Sequence, residues 1–324
     1  MSKSTSKKIP DNSKATIIRK NVVEATQKIL IADLETRRKY LWQDHWLPNP
    51  QAERFFEQIL DVVCRYKNED SMSIIGPSGI GKTKMLQAFS RLKSVEVRKK
   101  FDLIPTENPI LHTEFTSAGN QRSLYIRLLR DLKDPRPEKG TTEEMLVRVE
   151  RHFEEQNIRI VFLDDIHRLS EGGRSISVQN GLRNTLRELH NLGDELKIIP
   201  IGTEKARHVI EADSQTGRIF RCYRMVRWNQ KTKESRNQFK RFLQDLESVL
   251  PLQMDSFLEK DPKIRSYILK KTGGITSEIV RLIKVATDQV MRTAKTASDE
   301  VITLEVLRNA TYVPPSKPPK KATY

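Results

Sequence analysis

Gly76-Pro77-Ser78-Gly79-Ile80-Gly81-Lys82-Thr83 is the most constrained stretch of this 324-residue chain. It matches G-x-x-x-x-G-K-[ST], the Walker A pattern, and its flanks give the match weight: the apolar run Ser71–Ile75 precedes it and a helical pattern over 84–92 follows. Glycines let successive backbone N–H groups converge on phosphate oxygens, Lys82 can bridge the outer phosphates, and the Thr83 hydroxyl can ligate Mg²⁺. ATP with Mg²⁺ is the expected cofactor, bound by Gly76, Pro77, Ser78, Gly79, Ile80, Gly81, Lys82 and Thr83. A glycine-rich turn that merely imitates the pattern would lack the second half of such a site. Here Arg159-Ile160-Val161-Phe162-Leu163-Asp164-Asp165 supplies it, a buried-strand run ending in two carboxylates, where an α/β sheet presents its chemistry. Asp164 is expected to hold Mg²⁺ with Thr83. Asp165 stands where a carboxylate would polarise the attacking water, although the same residue is also a good helix N-cap.

Working outward, short apolar runs recur at 110–115, 158–163, 198–201 and 223–228 with amphipathic stretches between them, which predicts a largely parallel α/β sheet. Helical periodicity alone occupies 234–250, 264–271, 277–293 and 304–311, the pattern of a small helical lid. Upstream, a helical arm runs to Trp46 and is stopped by the prolines of WLPNP, and a further helical pattern covers 51–66. The expected organisation is therefore a tail and helical arm at 1–45, an α/β core at 46–229, a helical lid at 230–311 and a basic, proline-rich tail at 312–324. The low hydrophobicity of both ends predicts mobile tails.

The net charge of +16 gives a field suited to a polyanion such as DNA, and it equally suits simple solubility. The 2 cysteines, Cys64 and Cys222, have no paired spacing and argue for neither a disulfide scaffold nor a zinc site. No apolar run approaches the roughly 18 residues of a membrane span, and the first residues lack a secretory signal's apolar stretch, so a cytoplasmic protein without a membrane partner is expected. His167 reads as a packing or hydrogen-bonding neighbour of Asp165, because no second ligand stands at metal spacing.

RRKYLWQDHWLPNPQAERFFEQILDVV before the loop, FLDDIHRL after the second strand run, LRNTLRELHNLGDELKIIPIGTEKA and ADSQTGRIFRCYRMVRW together resemble the AAA+ transposition ATPases of the TniB and TnsC type, relatives of MuB and IstB. The resemblance covers most of the chain. It implies an AAA+ P-loop fold and an ATPase that assembles as a ring or filament, hexameric or heptameric, on double-stranded DNA. It also implies recruitment of a DDE-type transposase and a signal from a target-selector protein or complex, in a bacterial cytoplasm. It implies site residues too. Thr203, ending the run Lys197–Gly202, matches the polar sensor of the fourth core strand, and could instead cap the helix that follows. Arg218 and Arg221, read as preceding the last strand, match the place of an arginine that reaches a neighbour's nucleotide, and either could be a solvated side chain. The segment after the second strand, 116–139, matches the pore-lining loops and offers Arg122, Arg127, Arg136 and Lys139 to DNA phosphates, unless these belong to a solvated helix face and loop.

Three departures from the family pattern bear on turnover. Asp165 replaces the usual Glu and reaches one methylene less far. Ile219-Phe220 replaces the usual Arg-Phe. Ser277 ends Gly274-Ile275-Thr276-Ser277 where related initiator ATPases place a lid arginine, and Arg281 follows one turn later. A replication initiator or helicase loader, and a scaffold that uses ATP without hydrolysing it, remain the alternatives.

Overall fold

The computed structural model describes residues 22–47, 49–65, 71–115, 120–170 and 176–314. Residues 1–21 and 315–324 of the expected tails, and residues 116–119 of the expected DNA-contacting segment, lie outside the described residues, whereas Tyr312, placed in the tail by sequence, is buried and donates to Glu278 at 2.6 Å. Two compact units emerge: residues 48–228 with Ile275–Ser277, and residues up to 47 with 229–274 and those from 278 onward.

The chain opens in the second of these with α1 (Glu24–Leu30) and α2 (Leu34–Trp42). The sheet unit then runs α3 (Pro50–Cys64), β1 (Ser71–Ile75), α4 (Lys82–Lys100), β2 (Ile110–Glu114), α5 (Gln121–Asp131), α6 (Thr142–Glu155), β3 (Ile160–Asp164), α7 (Ile176–His190), β4 (Lys197–Gly202), α8 (Glu204–Glu211), α9 (Ser214–Ile219) and β5 (Phe220–Arg224). Its five strands are all parallel in the order β2-β3-β4-β1-β5. Strands β1, β3 and β4 are buried at every residue, which is why β3 and the middle of β4 appear in sequence as apolar runs, whereas β1 buries Ser71 and Ser73, whose hydroxyls donate to the Ile198 and Phe220 carbonyls. Because all five strands run the same way, their carboxyl ends share one edge, and the register pairs Ile75 with Gly202 and Glu114 with Asp164 there.

Local chemistry places the flanking helices. Asn49 accepts from the N–H groups of Gln51 and Ala52 and Pro50 occupies the first turn, so α3 begins there. Its buried face, Phe55, Phe56, Ile59, Val62 and Val63, continues into a file of edge-to-face rings, Phe56 to Phe89 at 5.5 Å and Phe89 to Phe162 at 5.8 Å. Each such side chain contributes roughly 1.5–3 kcal/mol by leaving water.

The last strand differs from expectation. It spans Phe220–Arg224 and not 223–228, because an edge strand with Arg221 and Arg224 exposed does not look apolar, whereas the residues after it do. Met225 adds one more ladder bond, to the Ile75 carbonyl at 2.8 Å. Arg221 therefore lies within β5, and Arg218 lies in α9.

The helical unit adds α10 (Lys233–Ser248), α11 (Pro262–Thr272), α12 (Thr276–Thr293) and α13 (Leu304–Asn309) to α1 and α2. Arm and lid, separate stretches in sequence, thus share one unit. The buried Arg37 guanidinium of α2 makes a two-pronged pair with Glu300 and also donates to the Pro251 carbonyl, and Arg38 pairs with Asp288 at 2.6 Å. Only the first turn of α12, together with Ile275 before it, groups with the sheet.

Candidate nucleotide-binding site

At the carboxyl end of β1 the chain is held on both sides before it turns. Gly76 N–H donates to the Gly202 carbonyl at 3.0 Å, and a Cβ on Gly76 would stand 2.9 Å from the Met225 Cβ. Gly79 and Gly81 then adopt φ of +75° and +102°, open to glycine at no steric cost. The loop closes on Lys82, a buried lysine whose Nζ donates to the Gly76 carbonyl at 2.9 Å and the Pro77 carbonyl at 3.0 Å. Burial lowers the Lys82 pKa, and the Asp164 and Asp165 carboxylates oppose that shift.

Asp164, at the end of β3, is fully buried. It accepts from Thr83 Oγ1 at 2.6 Å and from the Asp165 N–H at 2.8 Å, and His112 Nε2 of β2 stands 3.5 Å away. Burial pushes its carboxyl up, but His112, the Thr83 hydroxyl and the Asp165 N–H together outweigh that and hold it below the usual carboxylate range. A buried anion, a hydroxyl against it, a buried cation that only carbonyls hold, and glycines too tightly surrounded for a Cβ form a donor set that fits a nucleotide triphosphate with Mg²⁺. Among the described residues no group of three or more metal-ligating side chains occurs.

Asp165 adopts φ +55°, the left-handed region that Asp tolerates better than most residues. Its carbonyl accepts from Arg168 N–H at 2.9 Å and so starts the 3₁₀ turn Ile166–Ser170. Its carboxylate meets Arg168 Nε at 3.2 Å and lies 3.8 Å from His167 Nδ1. Thr203 precedes α8 as its N-cap residue, yet its side chain makes no capping hydrogen bond. It follows Gly202, the residue that receives the Gly76 N–H.

Arg218 and Arg221 lie away from this edge. The register pairs Arg221 with Met72 and Arg224 with Ile75, so Arg221 is about 13 Å down the sheet from Gly76 at roughly 3.3 Å per residue. Arg218 lines a polar groove of about 640 Å³ with Asn184, Arg187, Glu188, Asn191, Gln215 and Ile219. The four DNA candidates separate in kind. Arg122 donates to the carbonyls of Gly140 at 2.6 Å and Glu138 at 2.7 Å, and Arg127 pairs with Asp131 at 3.2 Å. Arg136 and Lys139 are exposed on the loop that Arg122 braces. Sequence reasoning missed His112 and Arg168. Arg168 was legible as a basic residue three positions after Asp165, whereas the His112 contact depends on the pairing of β2 with β3.

The model of the bacterial TniB protein family matches residues 37–230. No curated protein matches the chain. Among solved structures, the ORC2 protein of Aeropyrum pernix in its ADPNP–ADP complexes is similar with a TM-score of 0.57 and 14% identity, over 84% of this chain and 71% of that one. Cdc6p of Pyrobaculum aerophilum is similar with a TM-score of 0.55 and 17% identity, over 83% and 69%. The ORC1 protein of Aeropyrum pernix, solved in complex with DNA, gives a TM-score of 0.54 and 15% identity over 84% and 68%. With the family match spanning more than half of its length around a Walker A and Walker B pair, the chain has an AAA+ fold and belongs to the TniB family.

Proposed function

We propose that this chain is an ATP-dependent regulator of DNA transposition that assembles as a ring or filament on double-stranded DNA and, at a target chosen by a selector protein or complex, recruits a transposase. The observation that carries the reading is a complete phosphate and Mg²⁺ donor set, Lys82, Thr83 and Asp164 at one sheet edge, in a TniB-family chain of net charge +16. The nucleotide supplies the phosphoanhydride to be cleaved and, with Mg²⁺, the charge that the site neutralises. Backbone N–H groups of Gly79 to Lys82 would orient the phosphates, Lys82 would exchange its carbonyl partners for the outer phosphates, and Thr83 and Asp164 would hold the metal. Asp165 is the carboxylate available to a water proton, and Thr203, the residue after β4, is the polar group proposed as sensor. Arg221 is too far from Gly76 to serve its own chain's loop, so Arg221, or Arg218 in the helix before β5, is offered for a neighbour's nucleotide, a role that requires an oligomer. Arg136 and Lys139, with Arg122 as brace and Arg127 alongside, offer a sequence-independent phosphate contact. The structure of ORC1 with DNA supports polyanion binding by this fold.

Electron microscopy on duplex DNA tests the reading. Rings or filaments are expected with ATP and not with ADP, and none with Lys82→Ala; monomers off DNA in every state would sink it. A second reading, a scaffold that holds ATP without cleaving it, is favoured by the Asp165 carboxylate being paired with Arg168, and measured phosphate release with and without DNA separates the two.

A further inference from the structure

Besides Gly202 and Met225, the P-loop touches a segment from still further down the chain. Ser277 N–H, in the first turn of α12, donates to the Gly79 carbonyl at 2.9 Å. The approach is close: a Cβ on Gly79 would stand 2.5 Å from Ser277 Oγ and 3.0 Å from Ile275 Cγ2. The turn is itself fastened to the sheet unit, because the buried Trp228 ring donates from Nε1 to Thr276 Oγ1 at 3.0 Å.

We propose that the Ser277 N–H is a positioning group of the nucleotide site, which sets the aim of the phosphate-binding Ile80 N–H from outside the loop. The inference rests on the nucleotide reading above. A trans peptide is planar with its C=O and N–H pointing opposite ways. Holding the Gly79 carbonyl outward therefore turns the Ile80 N–H inward. The Ile80 N–H lies on the side of the Pro77 carbonyl, to which it donates at 3.4 Å and which Lys82 also grips. That contact is long and weak, which leaves the N–H free for a phosphate oxygen. Without the outer hold, glycine at φ +75° could rotate this peptide unit at little cost. The donor is available because first-turn N–H groups of a helix have no partner within the helix. A short serine against a glycine thus acts through its backbone, at the position where a lid arginine would act through its side chain.

Ser277→Pro removes this donor together with the hydroxyl, at a position where a helix's first turn tolerates proline. Isothermal titration should show ATP and ADP binding weakened about fivefold, the worth of one net hydrogen bond. Ser277→Ala, which removes the hydroxyl alone, and Glu234→Pro, at the same position of α10, should both bind as the unaltered chain does. Affinity unchanged in Ser277→Pro overturns the proposal. No binding by the unaltered chain, with Lys82→Ala no different, would instead overturn the nucleotide reading itself. Should Ser277→Pro fail to fold, Thr276→Val removes the oxygen that Trp228 holds. About twofold weaker binding then supports the proposal, and unchanged binding overturns it.

Discussion

Lys82 is buried, and carbonyl oxygens of its own loop hold its ammonium. Phosphate oxygens are stronger acceptors for the same amine, so the exchange is favourable, and Lys82→Ala should weaken nucleotide binding by at least about tenfold in a fluorescence titration. Asp165 makes a different prediction. Asp165→Asn keeps shape and should leave ATP affinity intact while lowering phosphate release by about 100-fold, the usual worth of a general base. Equal release by the variant and the unaltered chain would favour the scaffold reading. The Walker residues were legible because their chemistry forces local patterns, glycines where φ is positive and carboxylates after an apolar run. His112 was not legible, because its place beside Asp164 is created by the pairing of two strands whose paired residues lie fifty positions apart.

Between α5 and α6, residues 132–140 are ordered without being helix or strand. Asp134, nearly buried, takes Arg148 Nη1 at 3.0 Å, His152 Nε2 at 3.0 Å and the Arg136 N–H at 2.7 Å, while Arg148 also reaches the carbonyls of Arg136 and Lys139. Burial pushes this carboxyl up, and the Arg136 N–H, His152 and Arg148 outweigh it, so its pKa is lowered. A group lowered in the folded state stabilises above its unfolded pKa and loses that stabilisation as pH falls through the folded value. Asp134→Ala should thus cost about 3 kcal/mol in urea denaturation at pH 7, and the difference from the unaltered chain should shrink below about pH 4. The same bracing holds Arg136 and Lys139 in place. Element by element, the buried strands were legible from apolar runs, even β4, which carries Pro200 in a central strand against the usual rule. The edge strand β5 was read three residues late, because solvent on one side of a strand removes the signal that burial writes into the others.

At the scale of the molecule, the proposed DNA binding should be strongly salt dependent, because each phosphate that a lysine or arginine neutralises releases counterions. Affinity should fall by at least about tenfold between roughly 50 and 200 mM salt, and by less in a chain lacking Arg136 and Lys139. An arginine that serves a neighbour gives a mixing test. Arg218→Ala and Lys82→Ala should each abolish hydrolysis alone and recover part of it when combined, because mixed interfaces pair a sound loop with a sound arginine; Arg221→Ala in the same assay shows which of the two acts. No recovery from either arginine variant would remove both from this role.

The pairing of Arg37 with Glu300 carries a further consequence, in time. The two residues are 263 positions apart, with the whole sheet unit between them. At about 5–20 residues per second, Arg37 leaves the ribosome roughly 13–50 seconds before its partner does. For most of that interval, until the residues from 229 onward have emerged, α1 and α2 have no other helix of their own unit to pack against. The arm of a nascent chain is therefore open to chaperones, to proteases and to other arms on the same message until its partners emerge.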